Sequence, residues 1–215
     1  ANGQPIINKN SGYDDKNPYE NRDPRLKMTI FYHGNTFDLN GSQQALDMTD
    51  VDDKSKSSGY LVLKYLDDRI GHKSSGNSNY DCNPQMIRYA EILLSYVEAL
   101  NNLTGSHTVT FSDESTGTYT RDMNEMAKYF NMVRYRAGLP GLTTDELSSA
   151  DKMFDIIVRE RMIEFLHENR RFYDVRRWGI YLDTEKEPIV GMNTDGFEDE
   201  FFQRTTVNHL FARTR

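Results

Sequence analysis

Residues 84–103 read PQMIRYAEILLSYVEALNNL, and this stretch decides the fold of the chain. Asn83 followed by Pro84 is typical of a helix start, and Gly105 lies where a helix commonly ends. Polar residues recur at intervals of three and four, at Arg88, Glu91, Ser95, Glu98 and Asn102. Almost every other position is apolar, which predicts a helix packed against neighbours over most of its circumference.

Three further helices are predicted in the second half of the chain, at residues 122–137, 149–168 and 170–178. The first of them carries three apolar residues on one face, Met126, Phe130 and Val133, and ends before Gly138. The second follows Ser148, which together with Asp151 has the spacing of an N-terminal cap. The chain is therefore predicted to be mostly α-helical.

Some β-structure is expected outside these helices. Residues 26–39 alternate apolar and polar side chains around His33-Gly34-Asn35, which predicts a small β-hairpin. Residues 60–66 and 206–212 have the pattern of further strands. Residues 105–120 form a polar insertion rich in Ser, Thr and Gly.

The composition excludes several classes of protein. The 215 residues are enough to bury a core without a metal or disulfide, and the single cysteine, Cys82, cannot form an internal disulfide. A net charge of −7 argues against nucleic acid as a partner. No apolar run reaches the roughly 18 residues that a membrane-spanning helix needs. The loop-like start at Ala1 and the stop at Arg215 lead us to expect a fragment or a processed piece.

The densest charge pattern lies between residues 159 and 177. Glu160, Glu164 and Glu168 share one helical face, where like charges destabilise each other unless cations lie opposite. The candidate cations are Arg134, Arg136, Arg170, Arg171, Arg176 and Arg177. One interpretation is an acid/base pair for glycoside hydrolysis, and the other is an ion-pair network between helices. We expect the network, because hydrolytic carboxylates need unequal environments.

Motifs for metal binding and nucleophilic catalysis are missing from the sequence. The five histidines have no paired spacing, and neither G-x-S-x-G nor a P-loop occurs. The acidic loops at residues 50–52 and 193–196 lack the later ligands of a calcium loop. We therefore expect no catalytic residue, no metal site and no cofactor.

Aromatic residues offer two kinds of candidate for ligand binding. Trp178 follows Phe172 and Tyr173 at helical spacing, so we expect these rings in the core and not as a sugar platform. Tyrosines in polar loops could instead stack on a sugar while amides bind its hydroxyls, or could anchor their own loops. The predicted ligand-binding residues are Tyr13, Asn77, Asn79 and Tyr80.

Four segments, in this order, resemble the SusD/RagB family. They are NPYENRDPR at 17–25, RYAEILLSYVEAL at 88–100, NMVRYRAGL at 131–139 and VRERMIEFLHENRRFYDVRRWG at 158–179. The resemblance implies a mostly α-helical fold of tetratricopeptide-like hairpins with long irregular loops and a small β-hairpin. It also implies that the chain is the C-terminal portion of one SusD-like domain whose N-terminal half is absent. Within it we expect loops and a hairpin at 1–82, a helical core at 83–179 and a mixed tail at 180–215.

The same resemblance implies a function without catalysis. Family members are outer-membrane lipoproteins that bind oligosaccharides, or in some cases peptides, and deliver them to a SusC-like TonB-dependent transporter. Their lipid is attached at an N-terminal cysteine that this chain lacks. The alternatives are a glycoside hydrolase that uses two of the carboxylates above, and a protein-binding scaffold of the same fold.

Overall fold

A computed structural model of the chain describes residues 2–39, 42–47, 58–65, 85–193 and 203–206. The chain divides into two compact units. The first unit comprises Ala1–Gly12, Asp23–Arg25 and Gln85–Arg171, and the second comprises Tyr13–Arg22, Leu26–Pro84 and Phe172–Arg215.

Helices make up most of the first unit. A short 3₁₀ helix spans Lys9–Ser11, and the α-helices of the whole described chain are α1 Leu26–Thr29, α2 Tyr89–Asn101, α3 Met123–Arg136, α4 Thr144–Ser148, α5 Ala150–Glu164, α6 Arg170–Arg177 and α7 Tyr181–Lys186. Helix α2 packs against α3 and α5, and α4 packs against α5. The sequence predicts α2, α3, α5 and α6, with end points that differ by a few residues.

One hydrophobic core holds the helices of the first unit together. Leu94 and Val97 of α2 are fully buried against Phe130 of α3 and against Met153 and Ile157 of α5. The three α3 residues predicted to share an apolar face, Met126, Phe130 and Val133, all belong to this core. Burying a side chain of this size stabilises a fold by roughly 1.5–3 kcal/mol, so this cluster is the main source of the unit's stability.

Helix α2 begins later than its sequence predicts. Asn83 and Pro84 lie outside the described residues, and the residues from Gln85 onward are not helical until Tyr89. Arg88 is the N-cap, with an extended backbone and no side-chain cap bond. Its side chain is instead engaged in tertiary ion pairs, and the Met86 carbonyl accepts a hydrogen bond from Arg170. These tertiary contacts outweigh the local signal for a helix start.

The exposed face of α2 coincides only in part with the predicted polar stripe. Glu98 is buried, with 7% exposure, whereas Tyr89 and Ile92 are 64% and 55% exposed. Asn101 is buried too, and its side chain links three segments. It donates to the Ala150 carbonyl at 2.9 Å and accepts a hydrogen bond from Arg121 at 3.1 Å. The periodicity of the polar residues therefore does not identify the solvent side of this helix.

Side chains cap the starts of α3, α4 and α5. Asp122 caps α3 by accepting hydrogen bonds from two backbone N–H groups at 2.8 and 3.0 Å. Thr143 and Glu146 form a reciprocal capping box at the start of α4. The cap of α5 is Ser149 and not the predicted Ser148, which lies at the end of α4 and bonds to the Asp145 carbonyl.

Antiparallel two-stranded ladders supply the β-structure of the described residues. Four ladders occur, formed by β1 Ile30–Phe31 with β4 Leu61–Val62, β2 Thr36–Leu39 with β3 Ser42–Ala45, β5 His107–Thr110 with β6 Thr116–Tyr119, and β7 Val190–Met192 with β8 Arg204–Thr206. The polar insertion at 105–120 is the hairpin β5–β6, which belongs to the first unit. The other three ladders belong to the second unit.

The hairpin predicted at residues 26–39 is wrong, because the strands in this segment pair with later segments and not with each other. Leu26–Thr29 forms one helical turn, and the next two residues pair with β4, which lies within the strand predicted at 60–66. The segment after Gly34 pairs forward with β3. Gly34 has a φ of +78°, which turns the chain without bringing its two flanking segments together. Of the strand predicted at 206–212, residues 207–212 lie outside the described part.

We expect Asn101→Ala to destabilise the protein by about 1–3 kcal/mol, because the Ala150 carbonyl and the Arg121 guanidinium each lose a buried partner. Urea unfolding followed by circular dichroism measures the change. Asn102→Ala is the matched control, since Asn102 is the exposed neighbour at the end of the same helix. Equal stability of the two variants would contradict a linking role for Asn101.

Candidate functional site

The densest concentration of charge in the first unit surrounds Glu164, the last residue of α5. Its side chain is 3% exposed and accepts hydrogen bonds from three arginines. Arg25 lies 2.9 Å from one carboxylate oxygen, Arg88 lies 2.9 Å from the other, and Arg136 donates to that second oxygen as well. These arginines come from a loop segment, from the start of α2 and from the end of α3.

The acids on either side of Glu164 belong to the same network. Arg25 also binds Glu160 at 2.7 Å and Asp23 at 2.8 Å. Arg88 contacts Glu168 through two N–H groups, at 2.9 and 2.7 Å. The structure thus confirms the predicted ion-pair network along the acidic stripe.

The arginines that form the network were only partly predictable. Arg136 was one of the candidates, whereas Arg25 and Arg88 were not, because they lie 139 and 76 positions from Glu164 in the sequence. Arg170, another candidate, instead binds Glu91 of α2 at 2.8 Å. The NPYENRDPR motif at 17–25, which contains Arg25, was the available signal.

The electrostatics of Glu164 favour its charged form. Burial by itself raises the pKa of this carboxyl, but hydrogen bonds from Arg136, Arg88 and Arg25 outweigh burial and hold the pKa below its ordinary value. Glu164 is therefore ionised near neutral pH and has no proton to give to a leaving group. A general acid for glycoside hydrolysis needs the opposite shift.

A concave groove of about 670 Å³ lies in the first unit. It is lined by Gln85, Ile87, Arg88, Tyr89, Ala90, Leu93, Met132, Val133 and Arg136. Its volume is within the range of small-molecule sites. Tyr89 offers an exposed ring, and the polar lining is made of hydrogen-bond donors from Gln85 and from the two arginines that hold Glu164. Sequence reasoning missed this groove because its residues come from the segment before α2, from α2 and from α3.

A tyrosine cluster lies in the second unit. Tyr19 stacks on Tyr32 with ring centroids 4.1 Å apart, and the ring of Tyr60 meets Tyr19 edge-on at 6.3 Å. Burial raises the pKa of Tyr19 and that of Tyr60. These rings are packed against one another, so most of their area is not open to a ligand.

Of the four predicted ligand-binding residues, the structure describes Tyr13 alone. Tyr13 is half-buried in the second unit, with the guanidinium of Arg22 at 5.5 Å from its ring centroid and that of Arg204 at 6.0 Å. Asn77, Asn79 and Tyr80 lie outside the described residues. Their assignment to ligand binding stays a prediction.

Metal-binding clusters and membrane-spanning helices are both absent from the residues that the structure describes. Within the described ranges, no three His, Cys, Asp or Glu side chains are grouped so that they could hold a metal ion. The acidic loop at 50–52 and most of that at 193–196 fall outside those ranges. Of the helices that the structure describes, none has both the length and the apolarity needed to cross a membrane.

We expect Glu164→Gln to destabilise the protein by about 3 kcal/mol, because three guanidinium groups lose their shared carboxylate in a buried place. The measurement is the free energy of unfolding in urea. Asp155→Asn serves as the control, because it removes an exposed carboxylate from the same helix. A loss no larger than that of the control would show that the network is not stabilising.

The stabilisation by Glu164 should also depend on pH. Its pKa in the folded state is below the ordinary 4.5, so the contribution is complete above that value and is lost as pH falls through the folded-state pKa. Unfolding of the parent and of Glu164→Gln in a series of acidic buffers tests this. The difference between the two proteins should shrink in acid, and a constant difference would contradict the assignment.

Comparisons with known proteins agree on one family. The sequence model of the SusD family matches residues 1–212. The SusD-like protein P2 of Formosa agariphila is 33% identical over 110 residues, which are 48% of this chain and 19% of that protein.

Solved structures give the same answer for the fold. A SusD-like protein from Bacteroides fragilis superposes with a TM-score of 0.67 and 29% identity, covering 91% of this chain and 35% of its own. A SusD superfamily protein from Bacteroides vulgatus superposes with a TM-score of 0.57 and 26% identity, covering 81% of this chain and 32% of that protein. The chain thus spans about a third of the length of these relatives. The predicted mostly helical, tetratricopeptide-like fold is confirmed, and the chain belongs to the SusD family.

Proposed function

We propose that this chain is part of a non-catalytic protein that binds oligosaccharide at the outer-membrane surface and delivers it to a SusC-like TonB-dependent transporter. Membership of the SusD family supports nutrient binding in general. The observation that carries the non-catalytic part is the state of Glu164, a carboxylate enclosed by three arginines.

The competing hydrolase hypothesis needs two carboxyl groups in different environments, one protonated and one ionised. Glu160, Glu164 and Glu168 are instead all bound by guanidinium groups, and their side chains are at most 6% exposed. A sugar would have to displace these ion pairs to reach any of them. The acidic stripe therefore acts as scaffold in this proposal.

The groove in the first unit is the proposed saccharide site. A sugar presents apolar C–H faces and a rim of hydroxyl groups, which suit an aromatic ring beside fixed donors. Tyr89 would stack on the ring, while Gln85, Arg88 and Arg136 would donate to hydroxyl oxygens. Because both arginines are already held by Glu164, they lose little freedom on binding. Tyr13, Asn77, Asn79 and Tyr80 are proposed as additional loop contacts.

The organisation of the whole protein is part of the same proposal. Since the chain spans only 35% and 32% of its solved relatives, we propose that it corresponds to the C-terminal portion of a longer SusD-like domain. Its parts would be a loop and hairpin region at 1–82, a helical core at 83–179 and a mixed tail at 180–215. An N-terminal lipid outside this chain would attach that protein to the outer membrane.

We expect Tyr89→Ala to weaken oligosaccharide binding about fivefold, because the loss of one stacked ring removes roughly 1 kcal/mol. A glycan array identifies a ligand, and isothermal titration measures its affinity for each variant. Tyr135→Ala is the control, since Tyr135 is 63% exposed, almost the same as Tyr89 at 64%, yet does not line the groove. Equal loss in both variants would remove the groove from the proposal.

The same samples distinguish the alternatives. The bound glycan should be recovered intact after long incubation, with no new reducing ends. Turnover that disappears in Glu164→Gln, in protein shown to be folded, would favour the hydrolase. Binding of peptides and of no glycan would favour the peptide-binding or scaffold alternative.

A further inference from the structure

Helix α6 exposes two aromatic rings that the sequence analysis expects in the core. Phe172 is 55% exposed and Tyr173 is 63% exposed, so the prediction of core packing is wrong for these two residues. Their rings meet edge-on with centroids 5.2 Å apart. Among their neighbours on α6, Asp174 and Val175 are the residues that are buried. Two large rings on the outside of an otherwise polar helix need an explanation beyond folding.

An arginine is fixed among these rings. The central guanidinium carbon of Arg176 lies 3.6 Å from the ring centroid of Phe172 and 4.1 Å from that of Tyr181, the first residue of α7. Its Nη1 donates to the Phe172 carbonyl at 2.7 Å. A guanidinium has five N–H donors, and the structure shows one of those on Arg176 in a hydrogen bond within the described residues. We refer to Phe172, Tyr173, Arg176 and Tyr181 as the arginine–aromatic cluster.

The charge of Arg176 differs from that of its neighbours, which pair with acids on the same helices. Arg177 binds the buried Asp174 at 2.8 Å, and Lys186 binds Asp183 at 3.2 Å. Within the described residues, no carboxylate lies within ion-pair distance of Arg176. Its cation is exposed, held in one position and available.

A cation with this geometry favours a particular ligand. A planar guanidinium fits a carboxylate through two parallel N–H bonds, and aromatic rings beside it can pack on the C–H face of a sugar. The chain as a whole carries a charge of −7, so an anion needs a local cation such as Arg176 to bind. A neutral glycan would use the rings but gain nothing from the charge.

We propose that the arginine–aromatic cluster binds a uronic acid unit of an acidic oligosaccharide. Arg176 contacts the sugar carboxylate, and Phe172 and Tyr173 contact the sugar ring. This inference rests on the proposed glycan-binding function and names a substrate class for it. It adds a site in the second unit that is separate from the groove residues.

The test compares one saccharide with and without its charge. Tetragalacturonate and its methyl ester have the same rings and linkages, but the ester lacks the carboxylates. Isothermal titration of the 215-residue chain should show tighter binding of the acid. Arg176→Gln should weaken binding of the acid about tenfold and leave binding of the ester unchanged, because only the charged hydrogen bonds are lost. The affinity of Arg176→Lys for the acid should lie between those of the parent and of Arg176→Gln, since lysine keeps the charge but not the planar guanidinium geometry.

Lys186→Gln is the matched control, because it removes one exposed positive charge from α7 and leaves the cluster intact. The thermal unfolding temperature of each variant shows whether Arg176 acts in binding or only stabilises its helix through contacts with the rings. Equal binding of tetragalacturonate by Arg176→Gln and by the parent would overturn the inference. That result would leave the proposed binding of neutral glycans at the groove unaffected. Binding of acidic peptides and of no uronate would overturn it in favour of a protein partner. Failure to bind any glycan, acidic or neutral, would overturn the proposed function as well.

Discussion

A single buried carboxylate, that of Glu164, requires three distant parts of the first unit to converge. A charge removed from water is costly unless it is paired and hydrogen-bonded. Glu164 meets this requirement with arginines that lie 139, 76 and 28 positions away in the sequence. The loop that carries Arg25, the start of α2 and the end of α3 must therefore all be in place together. The late start of α2 is one consequence, because Arg88 serves the network before the helix begins.

This requirement separates the scaffold from ligand recognition. The motifs that identify the SusD family supply the arginines and glutamates of the network, so their charges neutralise one another inside the first unit. Their replacement affects folding before it affects a ligand. In the proposed function, recognition falls to residues around this scaffold, where sequence can vary at little cost to the core. Arg88 and Arg136 connect the two roles, since they hold Glu164 and also line the groove.

The two proposed ligand surfaces both combine aromatic rings with arginine donors, but they differ in the number of each. The groove places one exposed tyrosine beside donors that are already fixed by ion pairs. The arginine–aromatic cluster places several rings around one arginine that has no acidic partner among the described residues. Both are donor-rich and aromatic, which suits hydroxylated or carboxylated sugars better than apolar ligands. Neither contains a pair of acids that could perform hydrolysis.

Sequence alone determined the helical content and the structural nature of the acidic stripe, because apolar periodicity and charge spacing are local properties of the chain. It identified the core face of α3 through Met126, Phe130 and Val133 for the same reason. The family followed from the resemblance of four sequence motifs to SusD/RagB proteins. Tertiary structure decided which arginines face Glu164 and which strand pairs with β1. It decided that Glu98 is buried while Tyr89 is exposed. It also decided that Phe172 and Tyr173 point outward around Arg176. These features depend on contacts between residues far apart in the chain, and no local pattern of residue types encodes which of several similar arginines or aromatic rings will meet a given partner.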